Sequence, residues 1–188
     1  VTAVTDNTPP PAGYNPPAPS GNATELTDIA GNKANAEIAK AVALGIVFGY
    51  PDGTFRPEGS VTRAEFASML VRGLKPADEG APLVFKDKDN IGAWAEKPVR
   101  QAVNLGIISG YGDGTFRPNA NITHAEMISM VIRASGLSSD NGEQTGFSDD
   151  ARIPKWVKAA VSKAEETGII IVGGLPDDAE WLLLDDPA

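Results

Sequence analysis

Between residues 34 and 167 the apolar positions change period several times. Over 34–44, 94–105 and 154–167 they recur at i, i+3 and i+4, the spacing of an amphipathic helix with one face turned to a core. A glycine follows each run, at Gly45, Gly106 and Gly168, where a left-handed residue ends a helix at least cost. Periodicity then stops. Residues 49–57 read GYPDGTFRP and residues 110–118 read GYGDGTFRP, with Asp-Gly to make a bend and Pro57 or Pro118 to delay the next helix. A second helix is predicted after each loop. It places Phe66, Met69, Leu70 and Leu74 on one face in the first block, and Met127, Met130, Val131 and Ala134 in the second.

The blocks are copies. YPDGTFRPEGSVTRAE begins at residue 50, and YGDGTFRPNANITHAE begins 61 residues later. A weaker third copy opens at Phe147, where FSDDARIPKWVKAAVSKAEETGII parallels FKDKDNIGAWAEKPVRQAVNLGII from Phe85. Self-similarity of this kind predicts three helix-loop-helix units, at 25–74, 85–136 and 147–188. One unit is too small to bury both of its apolar stripes, so the copies are expected to pack on one another. The third departs most: after GGLPDD it lacks the TF-x-P and TRAE segments and runs to AEWLLLDDPA, which predicts an incomplete repeat.

Residues 1–24 hold six of the fifteen prolines and no apolar periodicity, the composition of an extended tether to another module. The formal charge of −9 sets a field that repels nucleic acid and anionic membranes, so neither is an expected partner, and an acidic ligand needs a local cationic cluster. No apolar run approaches the length of a membrane span. With no cysteine and one histidine, no metal site or cofactor is expected. The DKDNIG run from Asp87 has an EF-hand look, but it carries Ile91 at the fifth position and Pro98 at the twelfth.

Thr62 and Glu65 fit a capping box at the start of the second helix, as do Thr123 and Glu126. Arg63, between them at the first helical position, is not explained by the cap, because the dipole there is positive. Two readings stand side by side. Unpaired amides with a guanidinium form an anion site suited to a carboxylate, or the arginine is a surface group paired with a nearby acid.

Taken together, the FxD opening (Phe85 to Asp87, Phe147 to Asp149), Trp-Ala, GII-x-GY-x-DGTF-x-P and TRAE closely resemble S-layer homology repeats, over nearly everything after residue 24. The resemblance implies an all-α fold, three repeats packed as a pseudo-threefold trimer around a central helical bundle. It implies an extracellular, non-catalytic domain that binds secondary cell wall polysaccharide of Gram-positive bacteria in inter-repeat grooves. The recognised group would be a pyruvate ketal on N-acetylmannosamine, with its carboxylate at the TRAE arginine. Carried over by position, the ligand-binding residues are Arg63, Trp94, Ser109, Gly110 and Asp87, with Trp94 as the sugar platform. A weaker second groove would hold His124, Trp156 and Gly173, with His124 in the place of the arginine. That groove is expected to strengthen on acidification below the ordinary imidazole pKa of about 6.5. An enzyme finds little support, because the lone histidine sits in a helix cap and no serine has an evident base. The rival function is a structural assembly module that packs on other proteins without glycan.

Overall fold

The structure, a computed structural model, describes residues 26–50, 52–138, 145–147 and 150–170. The tether over 1–24, Gly173 and the close of the third repeat lie outside the described residues. Five α-helices form: α1 (Asn35–Ala43), α2 (Arg63–Leu74), α3 (Ala93–Asn104), α4 (His124–Ala134) and α5 (Lys155–Glu166). Short 3-10 turns at Lys88–Asn90 and Asp150–Arg152 precede α3 and α5. The fold is all-α; the described residues hold no strand, only an isolated antiparallel bridge between Thr62 and Asn121.

Gly45, Gly106 and Gly168 all sit at φ +70, and a Cβ on any of them would meet nothing. Conformation alone therefore calls for glycine: each ends a first helix by a left-handed turn that an L side chain resists.

Two compact units make up the chain, residues 1–121 and 122–188. The division does not follow the sequence repeat. Within the first unit α2 packs on α3; within the second, α4 packs on α5. Each second helix thus lies against the first helix of the following copy. The contact is close because it is made of small residues: Ala64, Ala67, Ser68 and Val71 of α2 are buried, as are Ala95, Val99 and Ala102 of α3. Ser68 can enter this core because its Oγ donates to the Ala64 carbonyl at 2.7 Å, which leaves no hydroxyl unsatisfied. This corrects the expected inner face of α2. Phe66, Met69 and Leu70 are only half-buried and Leu74 is 46% exposed, since they lie off the buried stripe, with Met69 packed instead against the Ile29 and Val42 core. In α4 Met130 is buried, but the rest of the inner face is Ala125, Ile128, Ser129 and Ile132, not Met127, Val131 and Ala134.

Ile29, Ile38, Val42 and Val47 form a further core in the first unit, closed by Phe55 and Met69. In the second unit Ile128 and Ile132 of α4 meet Val157, Val161 and Ala164 of α5.

Candidate functional site

The two GY-x-DGTFRP loops are built alike, and their acids and arginines have local work. Tyr50 N–H donates to the Thr54 carbonyl at 2.7 Å, and Tyr111 N–H to that of Thr115 at 2.8 Å, which closes each bend. Inside it, Asp52 Oδ1 accepts from the Thr54 hydroxyl (2.6 Å) and amide (3.0 Å), while Oδ2 accepts from Arg56 at 3.0 Å. Asp113 repeats the pattern with Thr115 and Arg117. Those threonine bonds, aided by the arginines, hold both carboxyls down at about 2, so the turns keep their charges through any mildly acidic pH. Arg56 and Arg117 have φ of 59 and 55, uncommon for side-chain-bearing residues. Each is clamped there by the acid that opens its repeat. Asp28 accepts from the amides of Phe55 and Arg56, both at 2.7 Å; Asp87 accepts from those of Phe116 and Arg117, both at 2.8 Å.

Asp87, a predicted ligand residue, therefore has both oxygens on backbone amides. Gly110, another, is required by packing: at φ +73 its missing Cβ leaves room for the Phe85 ring and the Thr115 carbonyl. Phe85 in turn stacks on Phe116 at 5.4 Å between ring centroids. Ser109 is exposed.

At the start of α2 both halves of the capping box form. Thr62 Oγ1 accepts from Glu65 N–H, and Glu65 Oε2 accepts from Thr62 N–H at 2.8 Å. The same reciprocal pair joins Thr123 and Glu126 at α4. The amides that would have completed an anion site beside Arg63 are engaged, which corrects half of that expectation. Arg63 N–H donates to the Ala120 carbonyl (2.9 Å) and Ala64 N–H to that of Pro118 (3.0 Å). The second-repeat loop thus lies across the helix N-terminus and takes up its orphan donors. Arg63 is not a surface side chain either: it is 5% exposed, and its Nε donates to the Phe116 carbonyl at 2.9 Å. Its guanidinium lies 4.5 Å from the Tyr111 ring centroid and 5.2 Å from that of Phe116. Arg117 stacks on the same Tyr111 ring at 4.1 Å.

A concavity among the described residues of this unit opens elsewhere. A cavity of about 110 Å³ is walled by Phe48, Tyr50 and Arg56 from the first-repeat loop, Glu65 and Arg72 from α2, and Trp94 from α3. Arg63 is not among the residues that line it. Trp94 is half-buried and oriented by its own helix cap, because the indole Nε1 occupies the space a Cβ would need at Gly92. Arg72 is stacked, its guanidinium 4.7 Å from the Phe48 centroid. Arg56 lies 4.2 Å from the Tyr50 centroid and is paired with Asp52. Burial raises the Tyr50 hydroxyl above its ordinary pKa, with Glu65 adding to the effect, so it faces the cavity as a neutral group. Of these residues the sequence had singled out Trp94 as platform. Tyr50 and Arg56 sit in a motif that reads as turn chemistry, Arg72 in an ordinary last helical turn, and Phe48 in a short apolar run.

In the second unit His124 opens α4, half-buried, and Trp156 is 58% exposed near the start of α5. Burial pushes the His124 pKa below 6.5, so the imidazole is neutral at pH 7 and its charging moves to lower pH than sequence alone suggested. A base whose folded pKa is depressed contributes stability that is present above the unfolded value and lost as pH falls through the folded one. Wild type is therefore expected to lose more melting temperature than His124→Gln between pH 7.5 and 5. Equal losses would contradict that burial effect.

The chain is similar to known proteins over the same region. The S-layer homology domain matches residues 25–67 and 84–128. The cellulosome-anchoring protein of Acetivibrio thermocellus is 40% identical over 104 residues, 54% of this chain and 23% of that protein. An exoglucanase from the same organism, XynX, is 36% identical over 149 residues, 77% of this chain and 14% of the relative. S-layer protein EA1 of Bacillus anthracis is 37% identical over 123 residues, 64% of this chain and 14% of the relative. The chain thus spans less than a quarter of the length of each.

Proposed function

Because the chain belongs to the S-layer homology family, we propose that it is a non-catalytic module of the extracellular surface that anchors a larger protein to the cell wall by gripping secondary wall polysaccharide. The shared stretch occurs in relatives named for anchoring, for an S-layer and for a glucanase, which fits a module that travels with different cargo. Here the cargo would be carried through the proline-rich segment at 1–24.

The observation that carries this reading is the cavity beside Trp94. Aromatic faces of Trp94, Phe48 and Tyr50 suit the C–H face of a pyranose, and the neutral Tyr50 hydroxyl suits its polar edge. Arg56 and Arg72 line it beside Glu65, a set of polar groups that suits the hydroxyls and the acidic substituent of a sugar. The volume of about 110 Å³ is below the 300–1,000 Å³ or so of a pocket that engulfs a whole small ligand, so it suits one face or one substituent of a sugar that stays partly outside. The pyruvate ketal on N-acetylmannosamine that the family resemblance implies is a sugar with such a substituent. Arg63 contributes indirectly, by fixing the second-repeat loop on α2, while the His124 and Trp156 side would be the weaker groove.

Sedimentation with purified Gram-positive walls tests this reading. Wild type is expected to pellet with intact walls and to stay in solution once the polysaccharide is extracted; pelleting with both would favour the protein-assembly alternative. Trp94→Ala is expected to weaken wall binding by about 2 kcal/mol, roughly thirtyfold, as for a central aromatic anchor. Wild-type binding by that variant would remove the platform.

A further inference from the structure

We propose that Asp28 is a positioning residue of the cavity, and that through it the segment opening the first repeat and the loop lining the cavity hold or open as one element. The proposal rests on the wall-glycan reading above and deepens it, because it names what keeps that site in shape.

Tyr50, Phe55, Arg56 and Pro57 of the lining all belong to the GYPDGTFRP loop. Three successive residues upstream, Leu26 to Asp28, grip that loop at three points. Leu26 Cδ2 fills the space a Cβ would need at Gly49, so a glycine there lets the loop start close against the opening segment. Thr27 N–H donates to the Gly53 carbonyl at 3.0 Å, and its hydroxyl donates to the same oxygen at 3.3 Å. Asp28 commits one carboxylate oxygen to the Phe55 amide and the other to that of Arg56, both at 2.7 Å. Neither Thr27 nor Asp28 is among the residues that line the cavity, so their effect on it passes through the loop.

The clamp sits where the loop most needs one. Arg56 holds φ 59, a region that side-chain-bearing residues seldom occupy and keep only where surrounding contacts over-determine it. Without Asp28 the backbone at Phe55 and Arg56 can relax towards ordinary φ, and that rotation displaces two lining side chains together. Phe55 is doubly placed, since it also packs on the core of Ile29, Ile38, Val42 and Val47. A sugar that binds only the clamped loop must, by linkage, favour the clamp in turn. The same segment follows the proline-rich stretch over 1–24 in the sequence. Load from a cargo carried on that stretch would therefore enter the fold at the residues that hold the sugar-binding loop.

The test uses the whole chain, with secondary wall polysaccharide purified from Gram-positive walls as the probe. Asp28→Asn leaves one acceptor oxygen for two amides. By calorimetry, at a temperature where circular dichroism shows it folded, that variant should bind about tenfold more weakly or worse. Hydrogen exchange gives a readout that a merely structural role would not move. With free polysaccharide at about ten times the dissociation constant, wild-type exchange at the Thr27, Phe55 and Arg56 amides should slow about tenfold, because opening of the clamp then competes with binding. The Ala81 amide, bonded to the Arg100 carbonyl, should exchange as before. Protection of Phe55 and Arg56 without Thr27, or equal slowing at Ala81, overturns the coupling. A folded Asp28→Asn that binds as wild type does overturns the positioning role and leaves the glycan reading standing; should that variant fail to fold, the wild-type exchange decides. No binding of the polysaccharide by wild type overturns both this proposal and the function on which it rests.

Discussion

Arg63→Ala is expected to destabilise the first unit by about 3 kcal/mol, combining a charged hydrogen bond worth roughly 1.5–3 with cation–π contacts of about 0.5–2. The reasons are structural. The guanidinium is buried, it satisfies the Phe116 carbonyl, and it stacks on Tyr111 and Phe116. Its removal leaves that carbonyl orphaned and a void in a close-packed seam. Arg63→Lys should recover little, because an ammonium reproduces neither the stack nor the fork. Urea unfolding checks this. An ordinary exposed helix position would change stability by no more than about 0.5 kcal/mol, and a loss that small would show that the arginine is not structural.

Asp87→Ala is expected to cost about 3 kcal/mol, because one carboxylate anchors two backbone amides and each charged bond is worth roughly 1.5–3 without full additivity. The change reaches further than the two bonds at 2.8 Å. Arg117 then holds φ 55 without the carboxylate that clamps its amide, and the loop that covers the start of α2 loses its root. Hydrogen exchange at the Phe116 and Arg117 amides gives the local readout: acceleration of both is predicted, and unchanged protection would contradict it. Asp87→Asn should be intermediate, since an amide offers one acceptor oxygen where the carboxylate offers two.

These two residues show where sequence reading succeeds and where it stops. Helices expected at 34–44, 94–105 and 154–167 occur at Asn35–Ala43, Ala93–Asn104 and Lys155–Glu166, because periodicity and the glycine stops are local signals. The reciprocal bonds of Thr62 with Glu65, and of Thr123 with Glu126, lie three residues apart, also within local reach. Which copy packs on which is not local. Duplicated segments carry duplicated patterns, so nothing in the sequence distinguishes α2 against its own repeat from α2 against α3 of the next. The inner face of α2 was hidden for a related reason. Hydrophobicity points to Phe66 and Leu70, whereas close approach selects Ala64, Ala67 and Ser68, whose value appears only with a partner helix.

The site divides the same way. An arginine at a helix start reads as a cation beside positive amides, but the acceptors for Arg63 and Ala64 lie on residues 116 to 120, more than fifty positions away. The partners of Asp87 are 29 and 30 residues distant. Trp94 stood out by type and by its neighbour Gly92, and it does line the cavity. Arg72 carried no signal, since a basic residue in a last turn is ordinary helix chemistry.

Calorimetric titration of the chain with purified secondary wall polysaccharide, before and after its acidic ketal groups are removed by mild acid, tests the central claim most directly. Binding to the intact polymer, weakened by about tenfold or more once the carboxylates are gone, is the predicted result. Equal affinity for the two polymers, or none for the intact one, would contradict the account.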